Sequence, residues 1–202
     1  MGPDFKSPQQ SYGNSRNKGG EPVKRQEKRK PNIVLVGFMG TGKTSIGRRL
    51  SMQLRMRYVD TDDVIERDSG RRISDIFAED GEPAFRELES EAVRKVSNLY
   101  SYVISTGGGV VLKEANMVAL KRNGIVFCLN ATAEEIYQRV RHQSHRPLLQ
   151  TPDALTKIRT MLEERHPYYA TADYMVETTG RSFGEIMGYI KRVFAQSVRT
   201  SK

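Results

Sequence analysis

Residues 33–50 read IVLVGFMGTGKTSIGRRL, and this stretch decides the fold. Ile33 to Val36 make a short unbroken apolar run, the pattern of a strand buried on both faces. Gly37 to Thr44 then fit G-x-x-x-x-G-K-[ST]. Ser45 to Leu50 continue as a helix, with Ile46 and Leu50 four residues apart on one side. A chain of this length matches the eight-residue pattern by chance about once in a hundred, and the flanking strand and helix lower that further. The stretch is therefore a phosphate-binding P-loop.

Each position has a physical task. Gly37, Gly40 and Gly42 let the backbone turn tightly and approach an anion. The amides of Gly40, Thr41 and Gly42 converge on phosphate oxygens with those of Lys43, Thr44 and Ser45, where the helix dipole adds positive character. Lys43 reaches the β- and γ-phosphates. The Thr44 hydroxyl is a small neutral ligand suited to Mg²⁺. A nucleoside triphosphate with Mg²⁺ is the expected ligand.

The 202 residues suit one domain, and 37% hydrophobic content with a mean hydropathy of −0.59 is lean but sufficient, because the polar excess lies at the N-terminus. Residues 1–30 hold eight basic and three acidic residues, a net +5 of the chain's +9. They have almost no large apolar side chains, so they are expected to form a disordered basic tail, with residues 31–202 as the P-loop domain. The domain's remaining charge suits anionic substrates and gives no reason to expect nucleic acid at the core. Cys128, the one cysteine, sits in the apolar run Ile125 to Leu129 and reads as a buried thiol of a reducing compartment. With no apolar run near the ~20 residues of a membrane span, and no apolar signal core at the start, a cytoplasmic protein away from membranes is expected.

Beyond the P-loop helix the chain alternates. Short strands are expected at Tyr58-Val59, Tyr102–Ser105, Ile125–Leu129 and Tyr174–Val176. Helices are expected at Val64–Asp68, Ile73–Ala78, from Gly81 to about Leu99, Lys113–Arg122, Ala133–Arg141, from Asp153 to about His166, and Phe183–Val198. Residues 142–152, HQSHRPLLQTP, are polar and interrupted by two prolines, the composition of a flap. This alternation predicts a parallel, doubly wound sheet.

A P-loop enzyme needs an acid near Mg²⁺, at the end of a strand beside the first. Of the remaining strands, only Tyr58-Val59 runs into aspartates, which selects Asp60. Asp62 lies two residues on and projects on the same side if the strand continues that far. Metal at one carboxylate and a substrate hydroxyl at the other is a workable kinase geometry. Asp63 reads as helix N-terminal charge. His142, His145 and His166 show no ligand spacing.

Several spaced segments together resemble shikimate kinase over nearly all of residues 32–190: GFMGTGKTSIGRRL, VDTDDVIE, ISDIFAEDGEPAFRELE, STGGGVV, RPLL and ERHPYY. The resemblance implies ATP-dependent phosphorylation of the 3-hydroxyl of shikimate. It also implies a monomer of the nucleoside-monophosphate-kinase architecture, with a five-stranded parallel sheet flanked by helices, a substrate-binding segment near 61–90 and a lid near 142–153. Carried over by position, Lys43 and Thr44 hold phosphate and Mg²⁺, Asp60 serves the metal, and Asp62 binds the shikimate hydroxyls and acts as base. Arg86 and Arg165 grip the carboxylate, and Gly107, Gly108 and Gly109 bring backbone amides to the substrate. Arg146 swings in on the lid, and Arg139 lies along the adenine. The segment Thr178 to Ser182 matches only loosely and receives no contact.

Chemistry supports these roles. Planar arginine forks suit a carboxylate, glycines admit close backbone approach, and a loop arginine can meet γ-phosphate charge on closure. Two rivals remain: gluconate kinase or another small-metabolite kinase of the same fold, and a nucleotide switch whose basic tail docks on RNA.

Overall fold

The computed structural model describes residues 30–141 and 153–200. The expected tail up to Arg29, the flap at 142–152 and Arg146 within it lie outside the described residues. Five strands, β1 (Asn32–Val36), β2 (Arg57–Asp60), β3 (Tyr102–Ser105), β4 (Gly124–Asn130) and β5 (Tyr174–Glu177), form one parallel sheet in the order β2-β3-β1-β4-β5.

Strand β1 lies at the centre, and all five of its residues are buried. Its side chains alternate between two cores, as the period of two requires. Val34 and Val36 face one core, while Ile33 and Leu35 face the other. The helices divide accordingly. On the Ile33 side lie α1 (Lys43–Leu54), through Ile46 and Leu50, and α8 (Phe183–Thr200), through Ile186, Ile190 and Phe194. On the Val34 side lie α2 (Thr61–Ser69), α3 (Ile73–Glu79), α4 (Gly81–Ser97), α5 (Glu114–Arg122), α6 (Ala133–Val140) and α7 (Ala154–Tyr169). This is the three-layer arrangement the alternation predicts.

Because every strand runs the same way, all five carboxyl ends open on one edge. The P-loop, Asp60, Thr106-Gly107, Asn130 and Glu177-Thr178 follow them there. The order reverses at β1, whose neighbours β3 and β4 connect to opposite halves of the sheet. Ligands bind at such switch points in open α/β sheets.

Three local expectations change. The second strand ends at Asp60, and α2 begins at once at Thr61. Asp62 is therefore a first-turn helix residue, not a strand residue in phase with Asp60. The cause is Asp60 itself, whose side chain accepts a hydrogen bond from the Asp62 N–H and caps the helix. Helix α7 runs past His166 to Tyr169 and absorbs Pro167, which lies too near the end to break more than the last turn. A 3₁₀ turn, Val110–Leu112, follows the triple glycine and buries Val110 and Val111.

Candidate active site

The P-loop glycines carry the backbone the motif demands. Gly37, Gly40 and Gly42 have φ of 136°, 77° and 95°, and a Cβ at Gly37 would collide with the Leu129 carbonyl. Thr41 is buried, and its hydroxyl donates to the Phe38 carbonyl at 2.7 Å, so its side chain braces the loop. Lys43 folds over the same loop, its Nζ donating to the Gly37 and Phe38 carbonyls at 2.8 and 2.9 Å. Thr44 and Ser45 stand exposed in the first turn of α1.

These residues form one wall of a cavity of about 500 Å³ at the carboxyl edge of the sheet. Asp60, Asp62, Thr106, Gly107 and Gly108 form the acceptor side, while Arg139, Thr178, Arg181, Phe183 and Ile186 close the other end. The cavity thus gathers P-loop, acids, glycine turn and Arg139 from separated parts of the chain.

Asp60 is held on all sides. Its Oδ1 accepts from the Asp62 amide at 3.2 Å, and its Oδ2 accepts from the Tyr58 hydroxyl at 3.0 Å and the Thr44 hydroxyl at 3.4 Å. Burial and the Asp60 charge push the Tyr58 phenol up to about 12, so it serves as a donor across the working pH range. The neighbouring hard oxygens of Thr44 and Asp60 fit Mg²⁺, which takes few protein ligands and completes its shell with phosphate and water. Among the described residues no group of three His, Cys, Asp or Glu side chains is placed to hold a metal.

Asp62 differs from Asp60. Its Oδ1 is buried with no hydrogen-bond partner among the described residues. Burial first, then the Asp60 charge, raises its carboxyl to about 7, against the opposing pull of Lys43. Glu89 Oε1 is a second buried, unpartnered oxygen. A Cβ built on Gly107 would sit 2.9 Å from Glu89 Oε1 and 3.1 Å from Asp62 Oδ1. Two acceptor oxygens therefore converge over the Gly107 Cα without a donor among the described residues, a place for a hydroxyl or water. Glycine keeps that space open, since a Cβ would crowd both carboxylate ends.

Arg86 lies in the second turn of α4, which starts at Gly81 as expected. Its Nε and Nη2 donate to Glu82 Oε1 at 3.1 and 2.7 Å, and its Nη1 donates to Glu89 Oε2 at 2.8 Å. Burial works against the Arg86 charge, but Glu89 and Glu82 outweigh it and raise the guanidinium's pKa. Burial also raises Glu89, against the pull of Arg86. The arginine is therefore pre-positioned by two carboxylates, only one of them exposed: Glu89 is 1% accessible and the Glu82 side chain 58%. Bonds to Glu82 and Glu89 use three of its five N–H groups among the described residues, and one on each Nη remains that could meet a ligand.

Arg86, Gly109 and Arg165 do not line the cavity wall. Gly109 lies against the Arg86 guanidinium, where a Cβ would collide with it. Arg165 on α7 sits over the Phe38 ring, 5.7 Å from its centroid.

Arg139 spans two loops. Its Nη1 donates to the Gly40 carbonyl and the Thr178 hydroxyl, and its Nη2 to the Thr178 carbonyl, all at 3.3 Å. This draws in the segment after β5, which sequence reasoning left without a contact. Thr178 and Arg181 line the cavity, as does Phe183, which is 42% exposed and carries Arg49 over its ring at 4.4 Å. Sequence reasoning also passed over Glu89, although its spacing from Glu82 and Arg86, seven and three residues on one helix, signals a shared face. Asp63 is exposed in the first turn of α2, as its helix-end reading expects.

The family model described as shikimate kinase matches residues 39–195. Shikimate kinase of Thermodesulfovibrio yellowstonii is 43% identical over 77% of this chain and 90% of its own length. That of Geobacter metallireducens is 45% identical over 79% and 92%. Among solved structures, shikimate kinase from Acinetobacter baumannii in complex with shikimate superposes with a TM-score of 0.78 at 36% identity, covering 83% of this chain and 94% of its own. A gluconokinase from Sinorhizobium meliloti, at 14% identity and a TM-score of 0.54, shares the fold alone.

Proposed function

The chain belongs to the shikimate kinase family, and we propose that it transfers the γ-phosphoryl group of ATP in line to the 3-hydroxyl of shikimate, at the cavity shared by Lys43, Thr44 and Asp62. The observation that carries the proposal is that convergence. A phosphate-binding loop and a carboxyl raised to about 7 face the same space at the carboxyl edge of the sheet.

ATP lies with its phosphates along the amides of Gly40 to Ser45 and its base toward Arg139. Shikimate lies over Gly107 to Gly109, with its hydroxyls at Asp62 and its carboxylate between Arg86 and Arg165. The substrate oxygen attacks the γ-phosphorus while the bond to the ADP oxygen breaks. The hydroxyl proton passes to Asp62, which releases it to solvent. A carboxylate titrating near 7 suits this exchange, since a base works best with its pKa near the operating pH. Lys43 needs only a side-chain rotation from its loop carbonyls to meet charge on the transferring group. We assign Arg146 to the same charge. Thr44 and Asp60 would hold Mg²⁺, which when bound would neutralise phosphate charge.

The enzyme acts as a cytoplasmic monomer without nucleic acid. This reading accords with the absence, among the described residues, of any helix long and apolar enough to cross a membrane. The test is coupled ADP release. Turnover should require shikimate and should not be replaced by gluconate. ADP release at the same rate without shikimate would overturn the proposal.

A further inference from the structure

Tyr169 has no part in the reaction just described, yet it is buried, 5% accessible, in the midst of the acceptor side. Its hydroxyl donates to the Gly108 carbonyl at 2.8 Å, across 61 residues of sequence. A buried tyrosine normally finds such a partner, but this partner is a loop of three glycines with little rigidity of its own. Because a peptide unit is planar, fixing the Gly108 C=O also fixes the Gly109 N–H, which points the opposite way. Gly109 lies against the Arg86 guanidinium. On the other side of Gly108, a Cβ would meet the P-loop at Met39 N and Gly37 O, 3.4 and 3.5 Å away. The glycine turn is thus wedged between P-loop and Arg86, with Tyr169 as the only side chain that holds its middle carbonyl in the hydrogen bonds of the described residues.

Tyr169 also closes α7 one turn after Arg165, and residues four apart share a helix face. Arg165 in turn stands over Phe38 of the P-loop. Burial pushes the Tyr169 phenol up to about 12, and the Arg165 and Arg86 charges both oppose the rise. The hydroxyl is therefore within the field of both arginines.

We infer that Tyr169 is a positioning residue that sets the spacing of Arg86 and Arg165, by clamping Gly108 while its own helix carries Arg165. The inference rests on the reading of those arginines as the carboxylate grip. It makes Tyr169 a determinant of acid recognition that touches neither substrate nor phosphate.

The test is Tyr169→Phe, which keeps the packed ring and removes only the hydroxyl. The shikimate KM should rise about three- to tenfold, the scale of one lost neutral hydrogen bond. The ATP KM and kcat should stay within about twofold. Preference for shikimate over its neutral carboxamide should shrink by a similar factor. In an Arg165→Lys background the Tyr169→Phe effect on the shikimate KM should be smaller than in wild type, since both act on one geometry. A lowered melting temperature with an unchanged shikimate KM would make Tyr169 merely structural and overturn the inference. Equal rises in both KM values would do the same. Failure of wild type to discriminate acid from amide would instead refute the carboxylate reading beneath it.

Discussion

Replacing Asp62 by asparagine should make the protein more stable while it stops working, and the gain should depend on pH. The carboxyl is raised from 3.8 to about 7 in the folded state, mainly by burial. A raised folded pKa means that the protonated form favours folding. That stability is present in full below the unfolded pKa of about 4 and is lost as pH rises through 7. Above pH 7 the native protein therefore carries a buried charge it would rather not hold. Raising the carboxyl from 3.8 to about 7 corresponds to a ceiling of about 4 kcal/mol. Asparagine keeps the shape but must still satisfy its own amide, so a gain of about 2–3 kcal/mol is expected at pH 8. For a domain of this size that is about 4–12 °C in Tm. The assay is differential scanning calorimetry of both proteins from pH 4 to 8, in chelator so that no metal at Asp60 alters the field. The variant should be slightly the less stable at pH 4, where only the amide cost remains, and the Tm difference should turn in its favour as pH rises from 4 to 7 and level off above. Other groups titrate in both proteins and cancel. The same substitution should cost about 10²–10⁴-fold in kcat, as loss of a positioned base does. A Tm difference independent of pH, or a less stable variant at pH 8, would refute the reasoning.

Lys43→Met should lower kcat by at least about a thousandfold with an unchanged circular dichroism spectrum, because the side chain's length is kept while its charge has no substitute; normal turnover would remove the P-loop from the chemistry. Arg86→Lys should raise the shikimate KM about ten- to a hundredfold and leave the ATP KM unchanged, since an ammonium can keep the Glu89 pairing but not the end-on fork; steady-state kinetics with each substrate varied decide it. Cys128 is 1% accessible and burial pushes its thiol up to about 12, so an aromatic disulfide reagent at pH 8 should leave it untouched until denaturant is added. Rapid labelling of the native protein would contradict that placement.

Legibility differed from residue to residue, for physical reasons. The P-loop was readable because its function is carried by backbone conformation, and three positive φ values need glycines at fixed spacing. Asp60 was readable because a strand end is a local feature. Its second duty was not: the side chain that reaches toward Thr44 also caps α2 and so moves Asp62 onto a helix. Arg86 was visible as a residue type in a motif, but not its two carboxylate partners. The spacing of Glu89 puts it on one helix face with Glu82 and Arg86, but only its burial sets it apart from the other charged residues there.

The sequence by itself determined the layer architecture, the nucleotide loop and the identity of the acids at its edge. These depend on short-range periodicity and on turn chemistry, both written in neighbouring residues. Tertiary structure alone decided which groups share the cavity and how they are tuned. Thr178 meets Arg139 across 39 residues, and Tyr169 meets Gly108 across 61. The Asp62 shift arises from burial and from charges on β2, α1 and α4. Such effects fall off over a few ångströms in space, and distance along the chain carries no record of them.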